Sequence, residues 1–142
     1  MNVLSLFSGI GGIDLAAEWA GMNVIAFCER EKYCQKVLNK HWPDTPIYDD
    51  VMKLDKQTLE RDGAIGEGRT IDVIVGGFPC QPYSIAGKRQ GEEDDRALWD
   101  EMFRIIEEIR PTWVVGENVA HFVNMGIDST LNDLESIHYS TR

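Results

Sequence analysis

Four runs of this chain, NVLSLF (residues 2–7), NVIAFC (23–28), IDVIV (71–75) and TWVV (112–115), are apolar almost without alternation. A strand with one wet face alternates apolar and polar residues, whereas a strand covered on both faces reads as a continuous run. Between the runs lie stretches with helical spacing. Ile13–Ala20 puts Leu15, Ala16 and Trp19 on one face, with Gly21 where a helix commonly stops; Lys32–Trp42 is closed by Pro43; Asp55–Arg61 suits a short helix. A helix over Asp95–Ile109 aligns Leu98, Met102, Ile105, Ile106 and Ile109 in a single apolar stripe. Ile47-Tyr48 reads as a short extended piece, Gly63–Arg69 as a solvent loop and Gly76–Asp94 as a long loop. Buried strands alternating with helices predict an α/β fold: a doubly wound, mostly parallel sheet that binds ligands beyond the carboxyl ends of its strands.

With 142 residues the chain has the size of one domain, and no apolar stretch approaches the roughly 18 residues a bilayer requires. The N-terminal MNVLSLFSGIGG lacks the basic start and small-residue cleavage site of a secretory signal, so a cytoplasmic protein is expected. The three cysteines are not spaced as metal ligands and are expected to be reduced, with no metal bound. A net charge of -10 argues against this stretch gripping a phosphate backbone by electrostatics alone.

The residues that depart from this apolar scaffold fall at strand ends. Phe7-Ser8-Gly9-Ile10-Gly11-Gly12 is a tight turn from strand to helix. It has neither the third glycine of a dinucleotide fingerprint, since Asp14 stands there, nor the Gly-Lys-Ser/Thr of a phosphate loop. Glu29, twenty residues beyond Gly9 at the end of the second run, is placed to accept hydrogen bonds from ribose hydroxyls. Asp50, after the short third strand, could accept from an adenine amino group. An adenosyl ligand without phosphates fits all three.

Cys28 and Cys34 read as small buried hydrophobes. Cys80 differs, because it sits between Pro79 and Pro82 in the loop after an apolar strand, where a thiol would face the ligand crevice. Attack requires the thiolate, so backbone N–H groups or a nearby cation would have to favour it. Glu117-Asn118-Val119 ends the strand from Thr112, which a doubly wound order makes the neighbour of the strand before Cys80. A nucleophile and a proton donor would then share one crevice.

These motifs resemble the cytosine-5 DNA methyltransferases. The Phe-x-Gly-x-Gly loop stands at Phe7–Gly11, Pro-Cys-Gln at Pro79-Cys80-Gln81, and Glu-Asn-Val at Glu117-Asn118-Val119, in the family's order over essentially the whole chain. The resemblance implies a Rossmann-like methyltransferase fold and S-adenosyl-L-methionine as methyl donor, with S-adenosyl-L-homocysteine as product. Phe7 would pack on the adenine, Glu29 hold the ribose and Asp50 read the adenine amino group. Ser8, Gly9, Ile10, Gly11, Gly12, Arg30, Val51, Pro79 and Leu98 would complete the cofactor pocket. It further implies that a cytosine is flipped out of double-stranded DNA. Cys80 would add to its C6 while Glu117 donates at N3, with Pro79, Gln81 and Asn118 beside them. C5 would then take the methyl group, and loss of the C5 proton would expel the cysteine. Ser84, Lys88, Arg89 and Arg96 resemble the family's mobile loop that closes over the base.

Residues 1–142 correspond to the front, cofactor-binding and catalytic part of such an enzyme. The family's Gln-x-Arg-x-Arg motif, its target-recognition domain and the final segment that returns to the cofactor pocket are not among these residues. The expectation is therefore a truncated or split methyltransferase, with a possible C-terminal partner chain and a tendency to self-associate through an uncovered sheet. A noncatalytic remnant, or a relative acting on cytosine in tRNA, are the alternative readings.

Overall fold

The computed structural model describes residues 1–78, 92–120, 122 and 126–141, the side chains of 92–97 excepted. Its core is one five-stranded sheet in the order β3-β2-β1-β4-β5, every pairing parallel. The strands are β1 (Asn2–Leu6), β2 (Asn23–Cys28), β3 (Ile47–Tyr48), β4 (Val73–Gly76) and β5 (Trp113–Gly116). The helices are α1 (Gly12–Trp19), α2 (Lys32–His41), α3 (Lys56–Arg61), α4 (Glu92–Ile109) and α5 (Ile127–Ser136). The order runs outward from β1 in one direction through β2 and β3, and in the other through β4 and β5. The switch point between β1 and β4 is where such a sheet opens a crevice.

Period-two alternation divides the buried residues between two faces. Val3, Val24, Phe27, Val73 and Val75 form one core with Ala17 of α1 and Leu38 of α2. Leu4, Leu6, Ile25, Cys28 and Ile74 form the other with Leu59 of α3 and Met102, Ile105 and Ile106 of α4. A register shift between Val3 and Leu4 lets Ile25 and Ala26 of β2 both join this second core.

The helix ends follow local chemistry. Asp55 caps α3 by accepting the Thr58 N–H at 2.7 Å. Past α1, Gly21 takes φ 77° and donates to the Glu18 carbonyl, while Met22 donates to that of Ala17, the paired bonds of a Schellman stop.

Three expectations are corrected. The Leu15, Ala16 and Trp19 face of α1 points to solvent, with Trp19 79% exposed, and the helix packs instead through Asp14 and Ala17. Gly63–Arg69 is not wholly a solvent loop, because Ala64 and Ile65 are buried in the α3/α4 core. Helix α4 starts at Glu92, before Asp95, and the amphipathic α5 follows β5 where no helix was anticipated.

Candidate active site

The crevice is built from the ends of β1, β2, β3, β4 and β5. As β1 ends, Phe7 turns into the left-handed region at φ 54°, a conformation that costs a bulky side chain of order 1–3 kcal/mol and is kept only where surroundings impose it. The ring packs against the α3/α4 core, and Gly9 and Gly11, at φ 57° and 88°, carry the chain on into α1. Among the described residues nothing lies within 4 Å of the position a Cβ on Gly9 would occupy, so on their side the loop backbone stands open to a ligand. Ser8 fixes the loop's base, its hydroxyl donating to the Ser5 carbonyl at 3.1 Å and its N–H to the Cys28 carbonyl at 3.3 Å. Ile10 projects outward, 60% exposed, and Gly12 begins α1.

Glu29 links this loop to the next. One carboxylate oxygen accepts the Gly9 N–H at 2.6 Å and the other the Glu31 N–H at 2.7 Å, in a residue only 8% exposed. Arg30 beside it is exposed. Asp50 follows β3; the Met52 N–H at 3.0 Å, with Lys53 beside it, holds its carboxyl below the ordinary aspartate range. The next residue, Val51, is buried. Carboxylates on two strand ends above an open glycine turn suit a ligand rich in hydroxyl and amino donors, and Phe7–Gly12 contains no cation for a phosphate. The donor set therefore fits an adenosyl group. Leu98 lies half-buried on α4 against the core.

On the other side of the switch point, Gly76 of β4 is paired with Gly116 of β5, so both strands end level. The Glu117 carboxylate stands over the β4 exit, its Oε2 only 3.1 Å from where a Cβ on Gly77 would sit. Asn118 donates its side-chain N–H to the Phe78 carbonyl at 3.0 Å, across forty residues of sequence. Phe78 is itself anchored, with ring centroids 5.2 Å from Trp99 and 5.3 Å from Phe122. The chain is thus held up to the residue before Pro79. Pro79, Cys80, Gln81, Ser84, Lys88 and Arg89 lie outside the described residues, as does the Arg96 side chain on α4.

Cys28 behaves as the inert thiol expected, since burial, with Glu29 and Asp50 nearby, pushes its pKa up to about 12. Cys34 is only half-buried, not enclosed as expected.

Sequence reasoning missed Arg104, whose guanidinium reaches the carbonyls of Val51 and Leu54. Its spacing from Glu101 and Glu108 was the available signal. A cavity of about 730 Å³ lies not at the glycine-loop crevice but along β5 and α5, and it meets the site near Phe78, Gly116, Asn118 and Val119. Among the described residues no group of three His, Cys, Asp or Glu side chains is placed to hold a metal, and no helix is long and apolar enough to cross a membrane.

The sequence model of the family described as C-5 cytosine-specific DNA methylase matches residues 1–142. The chain is 34% identical over 142 residues to the type II methyltransferase M2.BsuMI of Bacillus subtilis (strain 168), covering 96% of this chain and 34% of that protein. It is 35% identical over 125 residues to the type II methyltransferase M.AquIA of Picosynechococcus, covering 87% and 50% respectively. Among solved structures, a candidate prophage-encoded DNA modification methyltransferase from Escherichia coli matches with a TM-score of 0.79 at 26% identity, over 96% of this chain and 38% of that one. The chain thus spans between 34% and 50% of the length of these two curated relatives.

Proposed function

The chain belongs to the C-5 cytosine-specific DNA methylase family, and from that premise we propose that residues 1–142 form the cofactor-binding and nucleophile-bearing part of an enzyme that methylates C5 of cytosine in double-stranded DNA. The observation that carries this reading is the β4–β5 pairing. It sets Glu117 over Gly77 and lets Asn118 hold the Phe78 carbonyl, while the cofactor-type loop leaves the adjacent β1.

S-adenosyl-L-methionine, when bound, supplies an electrophilic methyl group. Glu29 accepts from the ribose hydroxyls, Asp50 accepts from the adenine amino group, and the strained Phe7 offers its ring to the adenine, with the Val51 backbone and Leu98 beside them. Glu117 donates a hydrogen bond or proton at N3 of a flipped cytosine and so draws electron density from the ring. Cys80, as thiolate, adds to C6, so that C5 becomes nucleophilic enough to accept the methyl group. Loss of the C5 proton then restores the double bond and expels the Cys80 sulfur. Asn118 keeps the peptide leading into Pro79 and Cys80 in place. Lys88 and Arg89, with Ser84, supply the DNA-facing loop, and Arg96 follows it on the early turns of α4.

The net charge of -10 assigns most of the DNA grip to a basic surface outside these residues, on the same polypeptide or on a partner chain. The experiment is calorimetric titration with S-adenosyl-L-homocysteine of the chain and of Phe7→Ala and Glu29→Ala. Each substitution is expected to weaken binding about tenfold or more, the scale of one lost charge-assisted or stacking contact. A folded chain that takes up no ligand sinks the cofactor assignment for residues 1–142.

A further inference from the structure

We propose that Arg104 is a positioning residue for adenine recognition: through the carbonyls of Val51 and Leu54 it fixes the turn that presents Asp50 and Val51 to the cofactor. The inference rests on the reading that this turn meets the adenine.

The segment needs an external hold. It leaves β3, only two residues long and paired to β2 only at Phe27↔Ile47 and Cys28↔Tyr48, so the ladder ends before Asp50. Inside the turn, Asp50 accepts the Met52 N–H on its side chain, and Lys53 and Leu54 donate to the carbonyls of Asp50 and Val51. These local bonds define its shape but do not tie it to the sheet. Burial of Val51 and Leu54 gives non-directional anchoring.

Arg104 adds direction from α4, fifty residues away in sequence. Its Nη2 donates to the Val51 carbonyl at 3.1 Å and to that of Leu54 at 2.8 Å. The rest of the guanidinium is committed as well: Nε donates to Glu101 at 2.8 Å and Nη1 to Glu108 at 2.9 Å. Glu108 uses its other oxygen to accept the Lys56 N–H at 3.1 Å, where α3 begins. One face of α4, Glu101, Arg104 and Glu108, therefore grips residues 51–56 by two carbonyls and one amide, side-chain identities of that segment playing no part. A planar fork with every nitrogen engaged sets orientation in a way a lysine cannot reproduce. Misplacing an acceptor that must meet an amino group by even an ångström weakens recognition, which is why such acceptors are held by outer partners.

The test uses the full chain and two ligands, S-adenosyl-L-homocysteine and its inosine counterpart, which carries an oxygen in place of the adenine amino group. Arg104→Lys keeps the charge and should lower affinity for the adenine ligand about tenfold. Affinity for the inosine ligand should stay within about twofold, and combining it with Asp50→Ala should add no further loss. In parallel, amide exchange of Arg104→Lys should quicken at residues 51–56 and not in β1. Equal weakening of both ligands, or full additivity with Asp50→Ala, would mean a general structural role and overturns the proposal. A wild-type chain that binds neither ligand removes the cofactor reading and this proposal with it. Wild-type binding with unaltered preference and exchange in Arg104→Lys removes the proposal alone.

Discussion

Val75 and Val115 face each other across the β4–β5 ladder, yet Val75 is 4% exposed and Val115 47%. The same contrast divides the molecule. Strands β1 and β2 are buried along nearly their whole length, with α1 and α2 against one face and α3 and α4 against the other. Strand β5, just as apolar in sequence, has β4 on one edge, carries Trp113 at 60% exposure, and borders the 730 Å³ groove that α5 only partly fills. An apolar run therefore reports the surroundings a strand is suited to, not those it has within a given stretch of chain. The distinction bears on the proposed chemistry, because the residues proposed to hold the cofactor stand on the closed half while Glu117 and Asn118 hang from the open one. The first set is fixed by two finished cores; the second depends on four residues of β5 paired to a single neighbour.

The largest expected effect tests how closed the closed half is. A Cβ at Gly11 would lie 2.6 Å from the Trp42 ring, and the backbone there sits at φ 88°. Trp42 has little room to yield, since it packs 5.3 Å from Phe27 and donates to Glu18. A left-handed non-glycine residue costs roughly 1–2 kcal/mol and overpacking roughly 1–3, so Gly11→Ala should lose about 3 kcal/mol in urea unfolding. Gly116→Ala, whose Cβ would meet, among the described residues, only a Phe78 ring atom at 4.0 Å, should stay within about 0.5 kcal/mol. Comparable losses at both sites would abolish the distinction between the halves.

The facing valines sharpen it next. Val75→Ala should cost about 2 kcal/mol, the worth of one buried aliphatic side chain, and Val115→Ala about 0.5 or less. If Val115→Ala costs as much as Val75→Ala, the outer side of β5 is covered in solution, by a second copy of the chain, and the unfolding midpoint will then rise with concentration.

The sheet was legible in the sequence because continuous apolar runs admit few arrangements: β2 and β3 fall on the residues expected, and the neighbouring of β4 and β5 follows from the doubly wound order. The positions of Glu29, Asp50 and Glu117 were legible for the same reason, since each is a polar residue within two of the end of an apolar strand. What escaped depends on distance in sequence. Arg104 looks like any helix-surface arginine until Val51 and Leu54 are folded beside it. The α1 face was misjudged because Leu15 and Trp19 outweigh Asp14 and Ala17 in hydrophobicity, yet it is Asp14 and Ala17, with Ile13 half-buried beside them, that turn to the sheet. The burial of Ala64 and Ile65 was hidden by flanking glycines and charges that predict a loop correctly but not its depth.

The smallest effect concerns a charge enclosed in the closed half. Asp14 is 0% exposed, and neither carboxylate oxygen has a hydrogen-bond partner among the described residues. Burial raises its pKa above the ordinary aspartate value, with Glu18 adding to the rise and the nearby Ser5 hydroxyl tempering it. A carboxyl whose folded pKa is raised gives its full contribution to stability below the unfolded pKa and loses it as pH climbs through the folded one. Asp14 therefore costs the native chain stability at neutral pH, and Asp14→Asn is free of that pH-dependent cost. The variant should be more stable by about 1 kcal/mol at pH 7, the ordinary scale of a single-residue effect, because it sheds the ionisable proton while keeping the polar shape. That advantage should shrink steadily as the pH is lowered toward the ordinary aspartate range, where the native residue is protonated as well. Urea midpoints of the two chains across that range decide the matter. An Asp14→Asn chain that is the less stable at pH 7 would mean that the carboxylate is held by a cationic or hydrogen-bonding partner, and that the closed half contains a polar contact rather than a stranded charge.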